Sequence, residues 1–140
     1  MPEPAQNPAF AEAVHESFHR QKFMTTIGAR LIRVAPGEVE IELPFNEEIA
    51  QQTGSVHAGA ITAIADGACG YAALTLMPAG ADVVSVEFKL NLLAPARGER
   101  FVARGRVLRS GRTLTVCAAD VIAIPGNVIV ATMLGTMMRR

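Results

Sequence analysis

A lone carboxylate inside an apolar run is where chemistry first shows itself in this chain. From Ala58 to Met77 the sequence reads AGAITAIADGACGYAALTLM, and Asp66 is its single formal charge. Burying an ionised carboxylate is costly unless something compensates it, so its presence asks for a reason. Just ahead of it Gln51, His57, Ala58 and Gly59 stand where a helix would begin. The first turn of a helix offers N–H groups without intrahelical partners and the positive end of the dipole. Those groups suit attack on a carbonyl. Ala58 N–H would hold the oxygen as it becomes an oxyanion, with Gly59 giving close access. Gln51 would position water or the carbonyl, and His57 would orient the entrance by hydrogen bonds. Asp66, two turns further in, would act as general base on water or as direct nucleophile. Each residue also has a plainer reading: Asp66 paired with an arginine or bonded to backbone, His57 as a helix cap, Gln51 as an ordinary loop amide.

A helix with no wet face either crosses a membrane or runs through the middle of a fold. Against the membrane stand Asp66, the glycines at 59, 67 and 70, the lack of basic flanks, and a set of amphipathic strands that need something to wrap. Its many alanines and glycines make the helix slim enough for a curled antiparallel sheet to enclose. Before it, residues 1–8 read as a Pro-rich arm, and Pro8 to Lys22 as an amphipathic helix with Phe10, Val14, Phe18 and Phe23 as its stripe. Arg30, Ile32 and Val34 then alternate with Leu31 and Arg33. Pro36-Gly37 turns the chain, and Val39, Ile41 and Leu43 alternate with three glutamates, a hairpin with one wet face. Residues Asn46 to Gln52 form a polar turn, and Pro78 stops the helix. Beyond it Val84, Val86, Phe88, Leu90 and Leu92 line one face of a strand, while Ser85, Glu87, Lys89 and Asn91 line the other. Turns at Pro95–Gly98, Ser110-Gly111 and Pro125–Asn127 join that strand to Arg100–Arg109, Thr113–Ile124 and Val128–Met138 as a four-strand meander.

The 140 residues suit one domain. Thirteen basic and thirteen acidic side chains cancel, and no basic run is long enough to track a phosphate backbone, which argues against nucleic acid as a partner. Half the residues are apolar, so part of the surface is expected to be covered by another copy. A long strand edge and Met133, Met137 and Met138 point the same way, to a symmetric dimer or two such dimers. Cys69 and Cys117 lack metal-ligand spacing and read as buried free thiols. No metal or cofactor is expected, the remote alternative being a pair of ligands at His15 and His19 on one helix. The first ten residues, MPEPAQNPAF, lack the pattern of a signal peptide, which implies a cytoplasmic protein.

Gly54-Ser55-Val56-His57-Ala58-Gly59 followed by Ala65-Asp66 resembles the G-x-x-H-G-G…D signature of the PaaI-like acyl-CoA thioesterases of the hotdog superfamily. Ser85-Val86-Glu87, with Ala94-Pro95-Ala96 after it, is similar to that family's next strand. The likeness runs from about Gly28 to the C-terminus. Two positions depart from it: Ala58 replaces the first glycine of the pair, and Gly70 stands where a hydroxyl residue often follows the acid. Ala58 keeps its N–H, so the donor survives.

The resemblance implies an α+β hotdog fold, a long antiparallel sheet of five to six strands around one central helix, over residues 28–140. Residues 1–27 would be an N-terminal arm and helix. It implies hydrolysis of an acyl-CoA to the acid and free coenzyme A, at sites across a dimer seam with Asp66 from one chain and Gln51 and Ala58 N–H from the other. Ser85, by alternation a strand serine on the wet face, would by resemblance face the site. The phosphates of coenzyme A need cations, which Arg97, Arg109 and Arg112 at turns can supply. Two rivals remain. One is a catalytically silent acyl-CoA-binding hotdog protein, favoured by Ala58 and Gly70. The other is a hotdog enoyl-CoA hydratase or dehydratase, whose catalytic groups normally follow other local patterns. The acyl group, aromatic or aliphatic, is left open.

Overall fold

Seven alanines and three glycines among seventeen residues make α3 (Ala58–Leu74) thin, and a sheet closes around it. The computed structural model describes residues 3–140. Before α3 come α1 (Phe10–Arg20), α2 (Lys22–Ile27), β1 (Arg30–Ala35), β2 (Glu38–Pro44) and a 3-10 turn at Glu47–Ile49. After it come β3 (Val83–Leu92), β4 (Arg100–Ser110), β5 (Leu114–Ile124) and β6 (Val128–Arg139). One six-stranded antiparallel sheet in the order β1-β2-β4-β5-β6-β3 wraps the helix, giving the α+β hotdog architecture. Val39, Ile41 and Leu43 of β2, Phe101 and Ala103 of β4, and Cys117, Ala119 and Val121 of β5 meet Ile61, Ile64 and Ala68 of α3 in one core. At Gly105 a Cβ would fall inside the contact distance of the Ala68 carbonyl, so helix and sheet touch backbone to backbone there.

The helix ends at Leu74, one turn short of the expected Met77. Thr75 ends it: its buried hydroxyl donates to Ala72 O (2.6 Å) and accepts from Gly37 N–H (2.7 Å), tying the C-terminus of α3 to the β1–β2 turn. Burial in apolar surroundings pushes the Cys117 thiol up to about 12 and the Cys69 thiol well above its ordinary range, so both cysteines are free and protonated.

Four expectations are corrected. The N-terminal helix breaks at Gln21 and restarts in a new phase as α2, so Met24 and Ile27 are buried while Phe23 is 56% exposed. In β1 a bulge at Ile32 breaks the alternation: Leu31 pairs with Ile41 and Val34 with Val39, and Ile32 is the unpaired extra residue, turned to solvent. The chain from β3 to β4 is a crossover and not a hairpin. β3 pairs with β6 and β4 pairs with β2, so only β4, β5 and β6 form a meander. Within β3 a bulge between Ser85 and Glu87 reverses the faces on its N-terminal side. Ser85 pairs with the inward Met137 and points at α3, whereas Val86 is 54% exposed. Of the expected N-terminal arm, Gln6 donates from Nε2 to Leu76 O (3.0 Å), and residues 1–2 lie outside the described residues.

Candidate active site

The head of α3 is built by His57. As N-cap its carbonyl accepts from Ala60 and Ile61 N–H, and its imidazole Nδ1 accepts from Gly59 N–H at 2.8 Å. Gly59 leaves just enough room, since a Cβ there would sit 3.0 Å from Nδ1. Gly59 thereby admits the capping ring, and its amide is taken. Ala58 N–H has no protein acceptor among the described residues, and Ala58 lines a cavity of about 620 Å³. Gln51, His57 and Arg97 line the same cavity. The side-chain Oε1 of Gln51 accepts from Thr53 N–H (2.5 Å) and Thr53 Oγ1 (2.6 Å), contacts that fix the amide's orientation and leave Nε2 a donor without a protein partner among the described residues. Arg97 Nε donates to the buried Ser55 hydroxyl at 3.1 Å, and the guanidinium has no carboxylate partner among the described residues. The rest of the lining is largely apolar, with Val56, Ile61, Leu92, Leu93 and Val130.

Asp66 lies elsewhere. It faces a second, smaller cavity of about 150 Å³ together with Ser85, Gly70 and Val83, and Ser85 Oγ donates to Asp66 Oδ1 at 2.6 Å. No arginine pairs with it among the described residues, so the plainest reading of the carboxylate does not hold. The serine reaches it because of the bulge in β3, which strand alternation alone hides. Four further side chains, unforeseen from sequence, line this cavity: Ser17, Gln21, Tyr71 and Asp82. Tyr71 of α3 is buried, its hydroxyl accepts from Gln21 Nε2 (2.7 Å), and it lies 3.1 Å from Ser17 Oγ. Burial raises the Tyr71 hydroxyl above its usual value, which its hydrogen bonds with Ser17 and Gln21 partly offset. One signal was available: Tyr71 is the chain's single tyrosine, and it interrupts an Ala/Gly helix soon after Asp66.

The remaining candidates separate. Arg112 lines a cleft with Met77 and Arg139 near the C-terminal end of α3, and Arg109 is on β4 beside the same turn, so neither meets Ala58 within one chain. The rings of His15 and His19 stack at 6.4 Å, and His19 Nδ1 bonds to His15 O at 2.6 Å, an arrangement that does not converge on an ion. Among the described residues no group of three or more metal-ligating side chains converges, and no helix is long and apolar enough to cross a membrane.

This geometry has relatives. The family model of the thioesterase superfamily matches residues 53–130. A thioesterase family protein of Silicibacter pomeroyi superposes with a TM-score of 0.90 at 45% identity, over 93% of this chain and 97% of that one. Human acyl-coenzyme A thioesterase 13 is 33% identical over 91 residues, 64% of each chain. A Saccharolobus solfataricus protein carrying an esterase name is 33% identical over 106 residues, 75% of each. The PaaI protein of E. coli shares the fold at a TM-score of 0.87 and 18% identity, over 97% of this chain and 96% of its own. With the match spanning the head of α3, Asp66 and the strands β3 to β5, the chain belongs to the thioesterase superfamily and has the hotdog fold.

Proposed function

We propose that the protein hydrolyses an acyl-CoA thioester to the free acid and coenzyme A, at a site formed by two copies of the chain. The observation that carries this reading is the Ala58 amide, a helix-head donor with no acceptor of its own at the wall of a large cavity. The substrate class is taken from the name of the human relative. Ala58 and Asp66 stand eight residues apart on one helix, a rise of about 12 Å. A reacting carbonyl needs its oxygen within about 3 Å of the donor and its carbon about 3–3.5 Å from the attacking atom. One chain's Asp66 therefore cannot serve that chain's Ala58. A second copy, set against the unpaired edge of β3, supplies the missing half of each site. Exposed Val86, Phe88 and Leu92 on β3 support such a contact.

In this site Ala58 N–H and Gln51 Nε2–H hold the thioester oxygen while Asp66, oriented by Ser85, takes a proton from attacking water. Collapse of the tetrahedral adduct breaks the C–S bond, and the departing sulfur receives that proton. The other course has Asp66 attack carbon directly, releasing the thiolate and leaving an anhydride that water then opens at the Asp66 carbonyl carbon. A single turnover in heavy-oxygen water separates them, because only the anhydride course labels the Asp66 carboxylate. Arg97 is the cation for the coenzyme A phosphates. Arg109 and Arg112, at the other end of α3, take part only where a second copy carries them round.

The test is thiol release from a panel of acyl-CoA thioesters, with Asp66→Asn beside the wild type. The variant is expected to lose about a hundredfold or more in turnover with unchanged circular dichroism, as removal of a general base typically does. Turnover within a few-fold of wild type would take Asp66 out of the mechanism. Tight acyl-CoA binding with no thiol release would favour the silent binding protein, and a change in enoyl absorbance the hydratase.

A further inference from the structure

The smaller cavity extends past the carboxylate. Gly70 sits one helical turn beyond Asp66 on the same face, and the nearest neighbour of a Cβ there would be Val83 Cγ1, at 4.0 Å. The absent side chain thus hollows the space beside Asp66. Asp82 also lines the space, and its border includes a hydrogen-bonded cluster of Tyr71, Gln21 and Ser17. The Tyr71 ring is steadied edge-on by Phe18 of α1, with centroids 6.0 Å apart. Hydrolysis as described uses none of these groups, and two of the three come from the N-terminal helical segment.

Resting on the reading of Asp66 as the hydrolytic group, we infer that this cavity holds the acyl group, with the hollow at Gly70 as its floor and the Tyr71–Gln21–Ser17 cluster as an end wall that admits only short acyl groups. Its volume of about 150 Å³ matches that of a cavity able to hold one benzene ring, which corresponds to an acyl portion of about five or six carbons. A longer chain would have to displace Gln21 from Tyr71 and press methylenes against polar groups deprived of partners, which is unfavourable twice over. The N-terminal helices are then a specificity element as well as a cover for the core.

Two substitutions push the cavity in opposite directions. Thiol release is measured as kcat/KM for straight-chain acyl-CoA thioesters from acetyl to dodecanoyl. The wild type should favour a short chain. Gly70→Val should fill the floor and move the optimum shorter, cutting hexanoyl relative to acetyl by about tenfold, the scale on which pockets discriminate a methylene or two. Gln21→Ala should open the wall and raise octanoyl relative to butanoyl by a similar factor. If Gly70→Val fails to fold, Gly70→Ala makes the same test, since its Cβ meets nothing closer than ordinary contact. A residue that only docks α1 on α3 would change stability and leave these ratios alone. An active wild type that prefers dodecanoyl, or folded variants with unmoved ratios, overturns the end wall while sparing the hydrolase. No thiol release from any thioester overturns the hydrolase reading itself, and the end wall with it.

Discussion

At the head of α3 one imidazole decides which amide is free. His57 Nδ1 takes the Gly59 N–H and its carbonyl takes the next two, which leaves the Ala58 N–H of this first turn without an acceptor among the described residues. Ala58→Pro removes that donor at the first helical position, where proline is tolerated. Thiol release should fall by about a hundredfold or more with the fold intact, and an active, folded variant would exclude Ala58 N–H as the oxyanion donor. Ser85→Ala strips Asp66 of its hydrogen bond. Because bonds to charged groups are among the stronger ones, turnover should drop by roughly tenfold or more while KM changes little. A variant with wild-type kcat would reduce the serine to packing.

At the scale of elements, the site depends on how α3 is gripped. Its C-terminal end is held through Thr75, whose hydroxyl serves the Ala72 carbonyl and the Gly37 amide together. Thr75→Val keeps the shape but leaves a buried N–H in the β1–β2 turn without a partner, a loss of about 1–3 kcal/mol. Urea unfolding should show a lower midpoint with the slope unchanged, and a midpoint equal to wild type would mean that another acceptor relieves Gly37. The other grip is the bulge in β3, which turns Ser85 from the wet face to the helix face and so brings a hydroxyl to Asp66.

For the molecule as a whole, the proposed reaction needs a second copy, because Ala58 and Asp66 are separated along one helix. Gln51→Ala and Asp66→Asn proteins, each nearly inactive alone, should form mixed dimers in which one site carries both lesions and the other neither. Activity should return toward about half of the wild-type value per mixed dimer where the two sites work independently. Confirmed subunit exchange without recovered activity would place both groups in one chain and end the shared-site reading. The proposed contact has a surface to use: β3 is an edge strand, and its Phe88 and Leu92 are 43% and 57% exposed.

The amino-acid sequence by itself determined what local patterns control. The 2-residue period of Val39, Ile41 and Leu43 put those side chains in the core. The Ala/Gly run with Pro78 behind it yielded a buried central helix, and the turn residues set the strand ends within a residue or two. Asp66 and Ala58 were visible as unusual because a charge in an apolar helix and the start of that helix are both local facts. Tertiary structure decided the rest. Strand order is a matter of which edges meet once the sheet curls around α3, so β3 lies beside β6 rather than β4. The bulges at Ile32 and Val86 cost the chain a regular alternation that only packing against the helix can repay, and they reversed the facing of Leu31 and Ser85. The Tyr71–Gln21–Ser17 wall joins residues about fifty positions apart, a contact that no local pattern encodes and that folding alone brings to Asp66.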